Sequence, residues 1–390
     1  MISVKDALAL IETRVEALDP VEISTSKALG QVLSKETISP INMPPFNQSA
    51  MDGYALGSLD KSSTVKYEIQ AGDNAENTIL SPGESARIFT GAMVPAGTVA
   101  IAKQEIVERN ENTIHLSESV TLGMNIRPKG EQIQEGETAM QSKTLINPAG
   151  VGFLLGLGIE QISVYRKPRV VIIVTGNELT QPGSPLLPGK IYESNSQTIK
   201  GALSNIGIES EIQYVHDDFE STKLQIKNAI TQFDLVLTTG GISVGDYDYV
   251  GKAFNELGVE QVFYKVKQKP GKPLFFGLKN RKVIFGLPGN PAAALTCFYM
   301  YVFPAIQKLM GHSILHLEKR TLRLAASFKK SPNLSAFLKA DFKDDQVEIL
   351  NAQSSAMLSA FSVANCLVYL EEGRETWQKD ELVLTYLLPQ

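Results

Sequence analysis

Apolar residues near the start of the chain recur at helical spacing from Val4 to Leu18, and Ser3 stands where it can cap the helix that this spacing predicts. From residue 65 to residue 140 the pattern changes to short alternating runs broken by Gly, Pro and Asn, which predicts a β-rich region. The apolar segment from Val151 to Leu157 then predicts a helix that rejoins the N-terminal part of the chain. The first domain is therefore expected to be discontinuous.

Continuous apolar runs alternate with helical patterns from residue 167 onward. Residues 169–175, 211–215 and 234–239 predict strands, and each is followed by a segment with helical periodicity. This order predicts right-handed crossovers on a parallel sheet. The last seventy residues return to short strands, so a separate small β domain is expected at the end of the chain. A length of 390 residues agrees with several domains.

Composition and charge exclude several classes of function. Thirty-seven basic and 42 acidic residues give a net charge of −5, the opposite of the basic footprint needed to bind nucleic acid. Two cysteines, Cys297 and Cys366, are too few for a disulfide framework. No secretory signal is evident, and the longest apolar stretch, residues 292–303, is shorter than the roughly 20 residues that span a bilayer. We expect a cytoplasmic protein that binds neither membrane nor nucleic acid.

Three loops follow predicted strands of the α/β region, where ligands bind in open sheets of this kind. The first, TGNEL (175–179), places a carboxylate at a strand end. The second, GGISVGDYDY (240–249), combines glycines that admit a ligand to backbone N–H groups with two aspartates. The third, LPGNP (287–291), opens a helix whose free N–H groups attract anions. Each of these features taken alone is also typical of a plain turn or helix start.

Positive charge is concentrated between the second and third loops. Lys265, Lys267 and Lys269 recur at strand period and are predicted to project to one face of a strand. The alternative is an edge strand whose lysines prevent aggregation. The two neighbouring anion-competent loops favour an anionic ligand. Upstream, Asp52 and Thr90 each stand next to a glycine in a small or apolar setting, which turn chemistry alone also explains.

Six motifs in order resemble those of the molybdopterin molybdenumtransferases, a family that includes the C-terminal domain of gephyrin. They are SAMDGYA (49–55), Thr90-Gly91 followed by VPAG (94–97), TGNEL, the Gly240–Tyr249 loop, KPGKP (269–273) and LPGNP. The resemblance covers nearly the whole chain.

The resemblance implies a multidomain α/β and β fold with four parts. A central, doubly wound and mostly parallel α/β molybdopterin-binding domain is expected at 167–316. An elongated β-rich domain is expected at 46–140, a helical linking domain at 1–45 and 141–166, and a small β-barrel-like domain at 317–390.

The activity that the resemblance implies is the last step of molybdenum cofactor assembly. Adenylylated molybdopterin is hydrolysed in a Mg²⁺-dependent reaction, AMP leaves, and molybdate is inserted at the dithiolene. Asp217, Asp246 and Asp248 are the candidate metal ligands. The resemblance implies catalytic roles for Asp248, Glu178, Asp217, Lys265, Lys269, Asp52 and Thr90, and binding roles for Gly240, Gly241, Ser243, Gly245, Lys272, Pro288, Gly289 and Asn290. Lys265 and Lys269 are assigned to molybdate and phosphate.

The resemblance also implies partners. Asp52 and Thr90 are expected to reach across the interface of a homodimer, so that each cleft is shared between subunits. Molybdopterin adenylyltransferase is the expected upstream enzyme.

Two departures from the family pattern leave other functions open. Gln132 stands where the family usually has an aspartate, and Lys339 stands near an expected arginine, whose bidentate fork a lysine lacks. One alternative is a pterin-binding carrier or scaffold with impaired catalysis. The other is molybdopterin adenylyltransferase, whose family shares the α/β domain.

Overall fold

A computed structural model describes residues 1–242 and 249–389 of the chain. The chain divides into two compact units, which are described separately. The first contains residues 1–21 and 165–390, and the second contains residues 22–164. The four predicted domains divide the chain more finely than these two units do, and their boundaries stay predictions.

The first unit is built on a six-stranded mixed sheet. Its strand order is Ser210–Tyr214, Val170–Val174, Leu235–Thr239, Lys282–Leu287, Phe275–Lys279 and Glu260–Tyr264. The first four strands pair in parallel, and each of the last two pairs antiparallel with the strand before it in this order. The strands Val170–Val174 and Leu235–Thr239 are buried at every position, as expected where helices cover both faces. Alternate residues of Val170–Val174 belong to two different hydrophobic clusters, which confirms the doubly wound, mostly parallel α/β prediction.

Helices cover both faces of this sheet. They are Val4–Arg14, Asn195–Asn205, Phe219–Gln232, Tyr249–Glu256, Pro291–Cys297 and Phe303–Leu309. Ser3 caps the first helix as predicted, since its hydroxyl accepts a hydrogen bond from the Asp6 amide. A π-helical turn, Phe298–Val302, joins the last two of these helices. The helix therefore continues through Pro304, the residue at which the apolar run of the sequence ends. A wider turn accommodates a residue that lacks an N–H group.

The register of the parallel strands places their carboxyl ends at one edge. Val174 is paired with Tyr214 on one side and with Thr239 on the other. Thr239 is in turn paired with Leu287. The loops that follow these four strands therefore begin side by side at this edge of the sheet.

The C-terminal strands of the first unit close into a small β-barrel, as predicted. The order is Gln268–Lys269, Ser335–Lys343, Gln346–Ile349, Lys319–Leu324, Leu382–Leu387 and Cys366–Leu370. An additional pairing of Ser335–Lys343 with Cys366–Leu370 closes the barrel. The first strand comes from the lysine segment of the α/β region. Short elements complete the unit: Phe328–Lys329 with Thr376–Trp377, Leu179–Thr180 with Ile191–Tyr192, and the 3₁₀ turn Ser359–Ser362.

The second unit is β-rich, as predicted. Its main sheet has the order Ala100–Lys103, Gly53–Leu56, Glu84–Ile88, Ser62–Ile69, Thr113–Leu116 and Val107–Asn110. The helix expected at 151–157 spans Pro148–Gly156, and the Asn147 side chain caps it. Two two-stranded sheets and two 3₁₀ turns complete the second unit: Gln48–Ser49 with Ile126–Arg127, Thr37–Ile38 with Thr138–Met140, and the turns Thr25–Lys27 and Gln104–Ile106. A further pair, Pro20–Ser24 with Gln161–Tyr165, lies where the chain passes from one unit to the other.

No helix within the described residues has the length and apolar character needed to cross a bilayer. Cys297 and Cys366 are free thiols, and both are buried.

A buried carboxylate stabilises the amino edge of the α/β sheet. The Asp234 side chain is 2% exposed and accepts hydrogen bonds from the Arg166 guanidinium at 2.6 Å, the Arg169 amide at 2.9 Å and the Lys282 ammonium at 3.1 Å. Burial alone would raise the pKa of Asp234, but these hydrogen bonds outweigh it and hold the pKa well below its usual range.

Because the pKa of Asp234 is depressed in the folded state, its stabilising contribution is present above the unfolded-state pKa, near 4, and is lost as the pH falls below it. We expect Asp234→Asn to lower the melting temperature at pH 7 and to lose less stability than the wild type between about pH 5 and pH 3. Thermal melts across this range test the prediction. Parallel curves for the two proteins would contradict it.

Candidate functional site

Three of the predicted loops contact one another at the carboxyl edge of the sheet. A Cβ atom placed on Gly241 would lie 3.2 Å from Thr175 Oγ1, so the TGNEL loop contacts the loop that begins with Gly240 and Gly241, called the double-glycine loop below. A Cβ placed on Gly289 would lie 3.8 Å from Gly240 Cα, which joins the double-glycine loop to LPGNP. The structure thus brings together the three loops that the sequence singles out.

The two glycines at 240 and 241 are required by backbone conformation and by space. Gly240 has φ +87° and Gly241 φ +64°, both in the left-handed region. A Cβ on Gly241 would also lie 2.8 Å from Val250 Cγ2. Ser243, Gly245, Asp246 and Asp248 lie outside the described residues.

Two carboxylates, those of Asp217 and Glu178, lie near each other at this edge. Burial raises the pKa of Asp217, and the negative charge of Glu178 raises it further, although a hydrogen bond from the Asn177 amide partly offsets this. The Glu178 carboxylate lies over Gly176, where a Cβ would be 2.7 Å from Glu178 Oε2. Asp217 and Glu178 thus come from two neighbouring strand ends.

The pair fits a hard cation, because carboxylate oxygens are the ligands that Mg²⁺ prefers and a cation would relieve their repulsion. Across residues 1–242 and 249–389, no three His, Cys, Asp or Glu side chains are grouped so that they could hold a metal ion. Asp217 is the one of the three predicted metal ligands that the structure describes.

The amino end of the helix Asn195–Asn205 also borders the site, which the sequence analysis missed. The Asn195 side-chain amide donates to the Gly289 carbonyl at 2.7 Å, while its Oδ1 is buried without a partner in the described part of the chain. Glu193 is 2% exposed, and its carboxylate accepts hydrogen bonds from the Ser196 amide at 2.8 Å and the Ser196 hydroxyl at 2.6 Å. A Glu three residues before a Ser at a predicted helix start is the signal that could have indicated this capping arrangement.

The three lysines do not share one strand face, so that prediction is wrong. The edge strand ends at Tyr264, and Lys265 has φ +66°, which turns the chain. Lys269 then belongs to the first strand of the barrel. The Lys267 ammonium lies 3.7 Å from the Glu372 carboxylate. A non-glycine residue in the left-handed region breaks the alternation that the spacing assumed.

Lys265 lies near the double-glycine loop. Its ammonium is 4.9 Å from the centre of the Tyr264 ring, and the Tyr264 hydroxyl donates to the Ile242 carbonyl at 2.8 Å. The unusual backbone of Lys265 is held by the start of the chain, since the Ile2 amide donates to the Lys265 carbonyl at 3.1 Å. The Lys267 amide donates back to the Ile2 carbonyl at 2.8 Å. No sequence pattern signals this pairing.

A buried network positions the KPGKP loop. Gln268 is fully buried, donates to the Gly271 carbonyl at 3.1 Å and accepts from the Tyr301 hydroxyl. Lys269 borders a cleft of about 440 Å³ between this loop and the barrel, which Ser354 also lines. Lys272 is exposed.

The LPGNP loop contacts the same part of the barrel. The Asn290 side-chain amide donates to the Ser355 hydroxyl at 3.1 Å. Pro288 follows the last buried residue of its strand. Lys269 and Asn290 therefore both border the barrel turn that contains Ser354 and Ser355.

Asp52 and Thr90 form a hydrogen-bonded pair in the second unit. The Thr90 amide and hydroxyl both donate to Asp52 Oδ1, at 2.8 and 2.7 Å. These two hydrogen bonds lower the pKa of Asp52, and the nearby Arg87 guanidinium lowers it further. Gln132 is exposed in the same unit.

The chain is similar to known proteins over nearly its whole length. Three family models match in order: "MoeA N-terminal region (domain I and II)" at residues 2–158, "Probable molybdopterin binding domain" at 171–308, and "MoeA C-terminal region (domain IV)" at 321–388. The molybdopterin molybdenumtransferase of Haemophilus influenzae is 33% identical over 385 residues, which cover 93% of this chain and 92% of that protein. The chain belongs to the molybdopterin molybdenumtransferase family.

Two further comparisons agree with this membership in the molybdopterin molybdenumtransferase family. The molybdopterin molybdenumtransferase of Staphylococcus epidermidis is 31% identical over 396 residues, covering 98% of this chain and 94% of that protein. The crystal structure of the molybdopterin biosynthesis moeA protein from Pyrococcus horikoshii matches with a TM-score of 0.86 and 28% identity, with 100% of both chains covered. The resemblance drawn from the six motifs is thereby confirmed, whereas the roles of single residues stay predictions.

Proposed function

We propose that this molybdopterin molybdenumtransferase inserts molybdate into adenylylated molybdopterin, with release of AMP, in a Mg²⁺-dependent reaction. The observation that carries the proposal is the meeting of the TGNEL, double-glycine and LPGNP loops at one sheet edge, with Asp217 and Glu178 beside them. A multiply anionic nucleotide needs cations and N–H donors in one place, and this edge offers both.

Lysine side chains and backbone amides neutralise the substrate in this proposal. Lys265 and Lys269 bind molybdate and phosphate, with Lys272 supporting them, and the phosphates lie against the backbone of Gly240 and Gly241. Two opposite charges about 4 Å apart interact by roughly 4 kcal/mol where the effective dielectric constant is near 20. Two such lysines thus supply enough attraction to orient a dianion.

Acidic side chains hold the metal and the attacking water. Asp217, together with Asp246 and Asp248, would hold Mg²⁺, which supplies positive charge for the phosphate oxygens and the leaving group. Glu178 orients a water molecule and accepts its proton as the water oxygen bonds to phosphorus. The bridging P–O bond breaks and AMP leaves. Molybdate then forms two Mo–S bonds to the dithiol, and two of its oxygens leave as two water molecules, which take up the two thiol protons and two further protons from the solvent.

The activity is tested by mixing the purified chain with adenylylated molybdopterin, Mg²⁺ and molybdate and by following AMP. Molybdate-stimulated release of AMP supports the proposal. Consumption of ATP with unmodified molybdopterin would instead indicate an adenylyltransferase. Tight binding of the pterin with neither reaction would indicate a carrier or scaffold.

We also propose, from the family resemblance, that the protein acts in the cytoplasm as a homodimer and receives its substrate from molybdopterin adenylyltransferase. In this dimer, the Asp52–Thr90 pair of one subunit completes the site that contains Asp217 of the other subunit. Each cleft then depends on both chains.

A mixture of two inactive variants tests the shared cleft. Asp52→Asn and Asp217→Asn are each expected to be nearly inactive alone. After the two are unfolded and refolded together, half of the dimers are mixed and each has one intact site, so about a quarter of the wild-type activity should return. Activity that stays at the level of the separate variants would contradict a shared cleft. Size-exclusion chromatography with light scattering checks the dimer independently.

A further inference from the structure

Lys339 lies in the middle of the barrel strand Ser335–Lys343 and is 2% exposed. Its ammonium donates to three backbone carbonyls, those of Ala352 at 2.7 Å, Met357 at 3.0 Å and Ser354 at 3.2 Å. An ammonium group carries three N–H bonds, so all of its donors are used. Within residues 1–242 and 249–389, no carboxylate forms an ion pair with it.

The main chain of Lys339 is bonded to the same turn, residues 352–357. Gln353 Oε1 accepts from the Lys339 amide at 3.0 Å, and Gln353 Nε2 donates to the Lys339 carbonyl at 2.7 Å. The amide side chain of Gln353 thus pairs with this strand residue as a neighbouring peptide group would. The 352–357 turn is therefore fixed to the barrel chiefly through one residue.

The 352–357 turn in turn contacts the LPGNP loop. The Ser355 hydroxyl accepts from the Asn290 side chain at 3.1 Å, and the Ser355 carbonyl accepts from the Ala293 amide at 3.2 Å. These two hydrogen bonds set the position of Asn290 and of the first turn of the helix Pro291–Cys297. A continuous chain of contacts leads from Lys339 through Ser355 to Asn290.

We propose that Lys339 is a positioning residue for the LPGNP loop, which acts through Ser355 and does not touch the substrate. This inference rests on the proposed function for its consequence in turnover. It also gives a physical reason for the lysine at this position. A compact ammonium can point its three donors at three carbonyls around it, whereas the donors of a guanidinium lie in one plane.

A double-mutant cycle separates positioning from direct contact with the substrate. Lys339→Met frees the turn, and Ser355→Ala removes the hydroxyl that Asn290 binds. If Lys339 acts through Ser355, Lys339→Met raises KM about tenfold, and adding Ser355→Ala raises it no further. If Lys339 binds the substrate itself, the two effects multiply, and this result would overturn the proposal. All assays are run well below the melting temperature of the weakest variant.

Hydrogen exchange gives a readout that does not depend on turnover. The Ala293 amide is bonded to Ser355, so a peptide that contains it should exchange about tenfold faster in Lys339→Met than in the wild type. Unchanged exchange at Ala293 would overturn the proposal even if KM rises. If the wild type shows no molybdate-stimulated release of AMP, the proposed function fails, while the exchange result still decides the role of Lys339.

Lys330 provides a matched control. Its ammonium also donates to three carbonyls, those of Leu334 at 2.8 Å and of Ser331 and Arg374 at 3.2 Å each. Its carbonyl partners lie outside the 352–357 turn. Lys330→Met should therefore lower the melting temperature as Lys339→Met does but leave exchange at Ala293 unchanged. Equal acceleration in both variants would show a general loosening of the barrel and would contradict a specific role for Lys339.

Discussion

Asp217→Asn is expected to slow molybdate-stimulated release of AMP about 100-fold or more while the fold is retained. The amide has nearly the same shape as the carboxylate but carries no negative charge with which to hold Mg²⁺. The expected loss is in kcat, and the apparent affinity for Mg²⁺ should fall as well. Steady-state kinetics over a range of Mg²⁺ concentrations measure both.

Stability should not fall with this substitution. The pKa of Asp217 is raised in the folded protein by burial and by Glu178. A carboxyl group with a raised pKa favours the folded state below its unfolded-state pKa, and this contribution is lost as the pH rises through the folded-state pKa. At pH 7 in EDTA, the melting temperature of Asp217→Asn should therefore equal or exceed that of the wild type.

Asp218 is the matched control for this prediction. Its exposed carboxylate accepts from the Ser221 amide at 2.9 Å and caps the helix Phe219–Gln232. Asparagine is an equally good cap, so Asp218→Asn should keep both activity and stability. Full turnover in Asp217→Asn, or equal losses in the two variants, would contradict the assignment of Asp217.

Gly271→Ala is expected to lower the free energy of unfolding by about 2–5 kcal/mol and to weaken substrate binding. Gly271 has φ +82°, where an L-residue is strained, and an added Cβ would overlap Cys297 Sγ. The surrounding side chains are fully buried, so the KPGKP loop that carries Lys269 must shift. Chemical denaturation and KM measurements detect the two effects.

Two variants separate the strain of the backbone from the overlap. Gly373 has φ +87° and open space at its Cβ position, so Gly373→Ala should cost only about 1–2 kcal/mol. Adding Cys297→Ala to Gly271→Ala removes the overlapping sulfur and should restore part of the binding affinity. If Gly271→Ala lowers the free energy of unfolding no more than Gly373→Ala does, overlap with Cys297 does not contribute to the loss of stability, and the prediction is wrong.

The sequence was sufficient to predict the α/β sheet and the edge at which the loops meet. The strands Val170–Val174 and Leu235–Thr239 are continuous apolar runs because both faces of each are buried. Once the strands are parallel, their carboxyl ends must lie together, so TGNEL and the double-glycine loop were expected to be neighbours. In these two strands, the apolar pattern of the sequence matches the burial that their position in the sheet imposes.

The sequence could not predict features that depend on contacts between distant segments. The left-handed backbone of Lys265 is held by Ile2, and alternation alone placed this lysine wrongly on one face with Lys267 and Lys269. The burial of Lys339 depends on a turn formed more than ten residues later. Charged residues are usually exposed, but the three backbone carbonyls around the Lys339 ammonium accept its hydrogen bonds and allow this lysine to be buried.

The strand Gln268–Lys269 pairs with the barrel strand Ser335–Lys343, although it follows directly from the edge of the α/β sheet. The C-terminal barrel is consequently not a separable module. A chimera that exchanges only residues 317–390 with a relative would leave this short strand facing a foreign neighbour. Grafting residues 265–273 together with the barrel keeps these two strands paired, while the hydrogen bonds of this larger piece to Ile2 and to the LPGNP loop would still cross the junction.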